Sequence, residues 1–194
     1  MKVCLFALGL ALCCAVQADD STPFENAELS RLTGPWYSIA MATNCPKLRE
    51  MSRHMPIIPA VLHSVTKDEF RMKINLRMPQ GCKEINPVIR KEDGVYTTTC
   101  ERGGKKIMDK IQTDYSTQAS ISMKMTSDGT NFCVVVTCMS KDLPVREDFM
   151  SKCRSFVKEV GLNEADLQEL RKEGVQSGGL EAAGSGGWVR FELG

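Results

Sequence analysis

The residue of this chain best placed to do chemistry is Cys45. It closes the apolar run "WYSIAMATN" and opens "PKLREMSRHM", which carries Lys47, Arg49, Arg53 and His54. Positive charge beside a thiol lowers its pKa and raises the thiolate fraction. Cys45 is therefore the candidate reactive thiol, suited to scavenging or reduction. A second consideration opposes this. Cys45 lies nine positions after Trp36, an odd step. In an unbroken strand the two side chains would point to opposite faces. Cys45 is either a free reactive thiol or an inert one, capped or held in a disulfide.

The other cysteines read as structural. The first eighteen residues, "MKVCLFALGLALCCAVQA", have a basic start, an apolar stretch and a small-x-small exit, the pattern of a secretory leader. Cys4, Cys13 and Cys14 leave with it, and Cys45, Cys82, Cys100, Cys133, Cys138 and Cys153 stay. A secreted, extracellular destination favours disulfides, but six cysteines allow 15 full pairings. No CxxC or His-rich spacing suggests a metal site. No Ser/His/Asp set, phosphate loop or paired carboxylates are visible. The chain is not expected to be an enzyme, unless through Cys45, and no cofactor is implied.

Composition narrows the partners. Without Lys2 the formal charge falls from +1 to zero, which gives no general attraction for nucleic acid. No apolar run after the leader approaches the roughly 18 residues of a membrane span. A cell-surface receptor and a homodimer are both open possibilities that the residues do not decide.

The elements that would position these groups are mostly strands. In "DEFRMKINLRM", Phe70, Met72, Ile74 and Leu76 alternate with charged or polar residues, which puts the apolar set on one face. Turns at "PQG", "KEDG", "RGG" and "TSDGT" divide the chain into eight strands between Trp36 and Met139. Regular antiparallel strands with one apolar face predict a sandwich or a closed barrel. In "LPVREDFMSKCRSFVKEVGL" the period changes. Phe149, Cys153, Phe156, Val157 and Val160 form one helical stripe, with Pro144 at the start and Gly161 at the end. That stripe must bury against the outside of the sheet. A short second helix is expected over 163–171, capped by Asn163. Cys138 should face outward from the eighth strand toward the stripe that carries Cys153. The two form a bridge or a pair of buried thiols.

Gly34-x-Trp36 at the first strand, Thr113-Asp114-Tyr115 between the sixth and seventh, and eight strands followed by one helix together resemble the lipocalin family over about residues 28–170. "GPWYSIAMA" is similar to the β-lactoglobulin branch and "TNCPKLREMSRHM" to the α1-microglobulin branch. The resemblance implies an all-β, eight-stranded up-and-down barrel with the helix packed outside. The expected divisions are a leader 1–18, an arm 19–27, a barrel with helix 28–171, and a disordered Gly/Ser-rich tail 172–194. Trp36 would plug the base. Lys141 stands where the family usually carries an arginine over that tryptophan. Cys82 matches a family cysteine whose usual partner lies near the C-terminus. Here it would pair with Cys100 or stay free.

Function follows from what fills the barrel. The inward set comprises Phe70, Met72, Ile74, Leu76, Tyr96, Ile121, Met123, Val135, Thr137 and Met139. By their composition these side chains either pack the interior or line a cavity; the resemblance implies a cavity for a fatty acid, retinoid, steroid or odorant. Nine residues of strand at roughly 3.3 Å each carry the chain from base to rim, so Cys45 should sit near the mouth. Lys47, Leu48, Arg49, Met51, Arg53 and Met55 would then form a lid whose cations could pair with a ligand carboxylate. The α1-microglobulin likeness also implies a reactive, haem-related thiol at Cys45.

Overall fold

The computed structural model describes residues 21–78, 81–99, 104–126 and 132–172. The expected leader, Cys100, the turns at 79–81, 102–104 and 126–130 and the Gly/Ser-rich tail lie wholly or partly outside them.

Strand β1 (Ser21–Pro23) precedes the barrel. β2 (Gly34–Thr43), β3 (Ile58–Ser64), β4 (Glu69–Met78), β5 (Gly81–Ile85), β6 (Val88–Glu92), β7 (Val95–Thr99), β8 (Lys105–Thr113), β9 (Gln118–Thr126) and β10 (Phe132–Ser140) build it. Apart from β5 with β6, each pairs antiparallel with its sequence neighbour, and β10 returns to β2 and closes the ring. β5 and β6 act as one stave, since both pair with β4. The break between them falls at Asn86-Pro87. Pro87 has no N–H for a ladder, but its carbonyl accepts from the Met72 amide at 3.1 Å. The architecture is a closed eight-stranded antiparallel barrel. Asp93 and Gly94, both at positive φ (51° and 84°), make the tight β6–β7 turn, the geometry that Asp-Gly pairs favour.

Closure needs irregularities that alternation does not announce. In β2, Ser38 pairs with Met139 and Ala40 with Cys138, which leaves Ile39 as an extra residue. Ile39 and Ala40 consequently both belong to the outer apolar cluster. A similar bulge in β8 leaves Asp109 unmatched between Met108 and Lys110.

Two cores result. Inside, Phe24, Leu29, Leu32, Trp36, Leu62, Phe70, Ile89, Tyr96, Ile111 and Met139 cluster and are all buried. Outside, the helix α2 (Glu147–Glu159) lays Phe149, Met150, Cys153, Phe156 and Val157 on Ile39, Ala40, Ala42, Val136 and Cys138. The helix begins three residues later than Pro144. Glu147 and Asp148 occupy its first turn, where the helix dipole favours negative charge. Gly161 follows its end with φ of 82°.

The expected helix over 163–171 is not formed. Asn163 does cap a turn, its Oδ1 accepting from the Ala165 amide at 2.9 Å, but the 3₁₀ turn ends at Asp166. The chain then runs as β11 (Leu167–Glu169) along Ala40–Ala42 of β2. β3 covers β2 only from Gly34 to Ser38, so the rest of that edge has unpaired amides and carbonyls, and β11 satisfies them. Before the barrel, β1 pairs with Lys110–Gln112 of β8, beyond the reach of β7.

Candidate ligand-binding site

The closed end is built first by Trp36. Its ring is 1 % exposed, and its indole N–H donates to the Leu32 carbonyl at 2.7 Å. Lys141 places its ammonium 4.9 Å from the ring centre and donates to the Thr33 carbonyl at 3.3 Å. The lysine thus keeps a cation–π contact. Sequence reasoning missed the rest of the floor. Phe24 packs edge-on against Tyr96 with centroids 5.6 Å apart, and Leu29 and Leu32 fill in beside them. Their signal was a buried-residue spacing too short and irregular for any repeat.

The Thr113-Asp114-Tyr115 loop locks this end. The Asp114 carboxylate accepts from the amides of Ser116, Thr117 and Gln118 at 2.8–3.0 Å and from the Thr117 hydroxyl at 2.5 Å. Burial disfavours its charge, but these donors prevail and hold its pKa at about 2. Tyr115, at φ of 61°, accepts from the Glu28 amide through its hydroxyl and receives Arg31 over its ring at 4.3 Å. A folded-state pKa below the unfolded one means stability present above about pH 4 and lost as pH falls toward 2. Asp114→Asn is expected to lose about 1 kcal/mol at neutral pH, allowing for solvent screening. Its thermal stability should also change less than the wild type's between pH 4 and 2. Melting curves across that range check both.

Above the floor the ten wall candidates share the inner face. Phe70, Met72, Ile74, Tyr96, Ile121, Met123 and Met139 lie in or against the inner cluster. Val135 and Thr137 pair with Met123 and Ile121, and Leu76 follows Ile74 on the same face. Their exposure is graded. Phe70 and Met139 are 2 % and 3 % exposed, whereas Met72, Ile74, Leu76, Met123 and Thr137 are half-buried. Two further residues belong to this face. Thr98 is the register partner of Lys106, which pairs in turn with Met125. They follow Tyr96, precede Met108 and follow Met123 by two positions, and so point inward with them. Thr98 was legible two places after Tyr96 in "VYTTT"; Lys106 was hidden because the Asp109 bulge breaks the alternation of "KKIMDKIQT".

The mouth corrects the reading of Cys45. It is bonded to Cys133, with Cα atoms 5.3 Å apart, and is 6 % exposed. It is therefore not a free reactive thiol, and a scavenging or reducing role for it has no basis. The odd step from Trp36 misled because Ile39 adds a residue and reverses the parity, so Cys45 meets Cys133 on the face of Val135. The Cys138–Cys153 bridge is present, with Cα atoms 6.2 Å apart. Among the described residues Cys82 is a free, exposed thiol; its suggested partner Cys100 lies outside them.

The segment expected to form a lid holds a short helix, α1 (Pro46–Ser52). Arg49 turns back, donating to the Thr43 carbonyl at 3.2 Å and pairing with Asp166 at 3.1 Å. Arg53 pairs with Glu50 at 3.3 Å, and Met55 packs on the outer cluster. Those two arginines have protein carboxylates as partners, and Met55 lies on the wrong side to face the barrel. Lys47 and Met51 are exposed and Leu48 is half-buried.

A barrel floored by a tryptophan, latched by an acidic loop and backed by one helix defines the calyx class of binding proteins. The model of the Lipocalin / cytosolic fatty-acid binding protein family matches residues 33–174, and the chain belongs to that family. It is 25% identical over 185 residues to the allergen Fel d 4 of Felis catus, covering 94% of this chain and 97% of that one. It is also 25% identical over 129 residues to the extracellular fatty acid-binding protein of Coturnix japonica, covering 66% and 71% respectively. Among solved structures, the siderocalin Ex-FABP superposes with a TM-score of 0.61 at 21% identity, over 73% of this chain and 95% of that one.

Proposed function

We propose that this chain is a secreted carrier that holds a small hydrophobic molecule of the fatty acid, retinoid, steroid or odorant class inside its barrel. The observation that carries the reading is the gradient on the inner face: sealed at Phe70 and Met139, half-open at Met72, Ile74 and Met123. Inward side chains that remain partly accessible are not covered by the rest of the barrel, which leaves apolar surface for a ligand to cover. Methionine walls adapt to ligands of different outline. Transfer of apolar area from water, at about 25 cal/mol per Å², supplies the affinity, reduced by the cost of ordering the ligand. An extracellular fatty acid-binding protein among the relatives supports both the hydrophobic ligand and the location.

The test is titration with the neutral fluorophore N-phenyl-1-naphthylamine. Saturable binding at one site per chain is expected, with a dissociation constant on the order of micromolar. Met123→Trp, which fills the lumen, should weaken it at least about tenfold while circular dichroism stays unchanged. Absence of saturable binding would overturn the reading.

A further inference from the structure

We propose that the molecule held in the barrel is a hydrophobic acid, its carboxylate received by Lys106 and Thr98; this rests on the carrier reading above. Lys106 and Thr98 are register partners on adjacent strands and share the inner face with Tyr96, Met108 and Met123. The Thr98 side chain is 7 % exposed, and its Oγ1 has no hydrogen-bond partner among the described residues. A buried hydroxyl without a partner is unfavourable and uncommon. Here it points into the space the ligand would occupy.

The neighbouring lysines sharpen the contrast. Lys105 pairs with Glu92 at 3.5 Å, Lys110 with Glu159 at 2.7 Å, and Lys124 with Asp109 at 2.7 Å. Each has a carboxylate. The inward Lys106 makes no ion pair among the described residues, and no Asp or Glu on β7, β9 or β10 could supply one. Asp109, the acid on β8, is the partner of Lys124. The inner wall thus carries an ammonium and an unpartnered hydroxyl on register-paired residues, with no carboxylate partner for either among the described residues. A carboxylate has two oxygens that accept from both, and charge-assisted bonds of this kind are the stronger ones. The remaining apolar body of the ligand would lie against Met72, Ile121 and Met123. An alcohol or hydrocarbon of the same length would fill the same walls but leave the ammonium without a counter-charge.

The experiment displaces N-phenyl-1-naphthylamine with laurate and, separately, with 1-dodecanol, which has the same chain and no charge. Laurate is expected to displace at about tenfold lower concentration than dodecanol. In Lys106→Met the two should become equal, each displacement being scaled to the fluorophore affinity measured for that variant. Lys106→Gln serves equally if the methionine variant folds poorly. Thr98→Val, close to isosteric, should remove about threefold of the laurate advantage without lowering the melting temperature. Equal displacement by both compounds in the wild type, or an advantage that survives in the Lys106 variants, overturns the proposal and leaves the carrier reading standing. Failure of the neutral fluorophore to bind the wild type overturns both.

Discussion

Replacing Cys45 and Cys133 together by serine is expected to destabilise the protein by about 4 kcal/mol, more than the loss of the other disulfide among the described residues. The bridge joins residues 88 apart in sequence, whereas Cys138–Cys153 spans 15. In the chain-entropy account, a longer loop removes more freedom from the unfolded chain. Loops of these sizes correspond to roughly 4.6 and 3 kcal/mol. The comparison of Cys45→Ser/Cys133→Ser with Cys138→Ser/Cys153→Ser by urea unfolding is therefore the informative one. A loss at the short bridge equal to or larger than that at the long one would show that native-state packing, not loop closure, dominates. A companion measurement tests the correction made for Cys45. Iodoacetamide applied to the folded protein should modify Cys82 and leave Cys45 intact, because a disulfide sulfur has no thiolate to offer. Cys45 emerging alkylated would return the reactive-thiol reading.

Trp36→Ala should lower stability by about 3–5 kcal/mol, the range for removing a buried large aromatic. The ring is 1 % exposed and packs with Phe24, Leu29 and Leu32 in the inner cluster, so its removal leaves a buried cavity. Trp36→Phe separates the two contributions. It keeps much of the buried area but leaves the Leu32 carbonyl without its 2.7 Å donor, a loss of about 1–2 kcal/mol. Lys141→Met should be milder still, about 0.5–1 kcal/mol, since the cation–π contact is partly solvated. Denaturant midpoints in the order wild type, Lys141→Met, Trp36→Phe, Trp36→Ala, with a constant slope, are the expected result. A Lys141 variant as damaging as Trp36→Ala would mean that the cation, and not the indole, holds the floor.

These expectations draw on parts of the molecule that differ in how readily residues disclose them. The inner face of β4 was plain in "DEFRMKINLRM", because one strand with one buried face writes a period of two into its own residues. The Cys138–Cys153 bridge was accessible for a related reason. A strand's outward side and a helix's apolar stripe are each local patterns, and they have one surface on which to meet. The Gly34-x-Trp36 and Thr113-Asp114-Tyr115 motifs marked the floor from a distance. Two short elements escaped. β1 and β11 have little character of their own and take their conformation from open edges on β8 and β2.

By itself, then, the sequence determined antiparallel strands with one apolar face and the helix that backs them, since both are written in near-neighbour periodicity, while the motifs Gly34-x-Trp36 and Thr113-Asp114-Tyr115 implied the closed barrel and its tryptophan base by resemblance. Tertiary structure decided which side Cys45 faces, with which cysteine it bonds, and that Lys106 stands beside Thr98 inside the wall. Closing a sheet into a ring forces single extra residues at Ile39 and Asp109, and each reverses the inside–outside order of everything beyond it. Parity after a bulge is a property of the ring as a whole, and no short stretch of chain contains it.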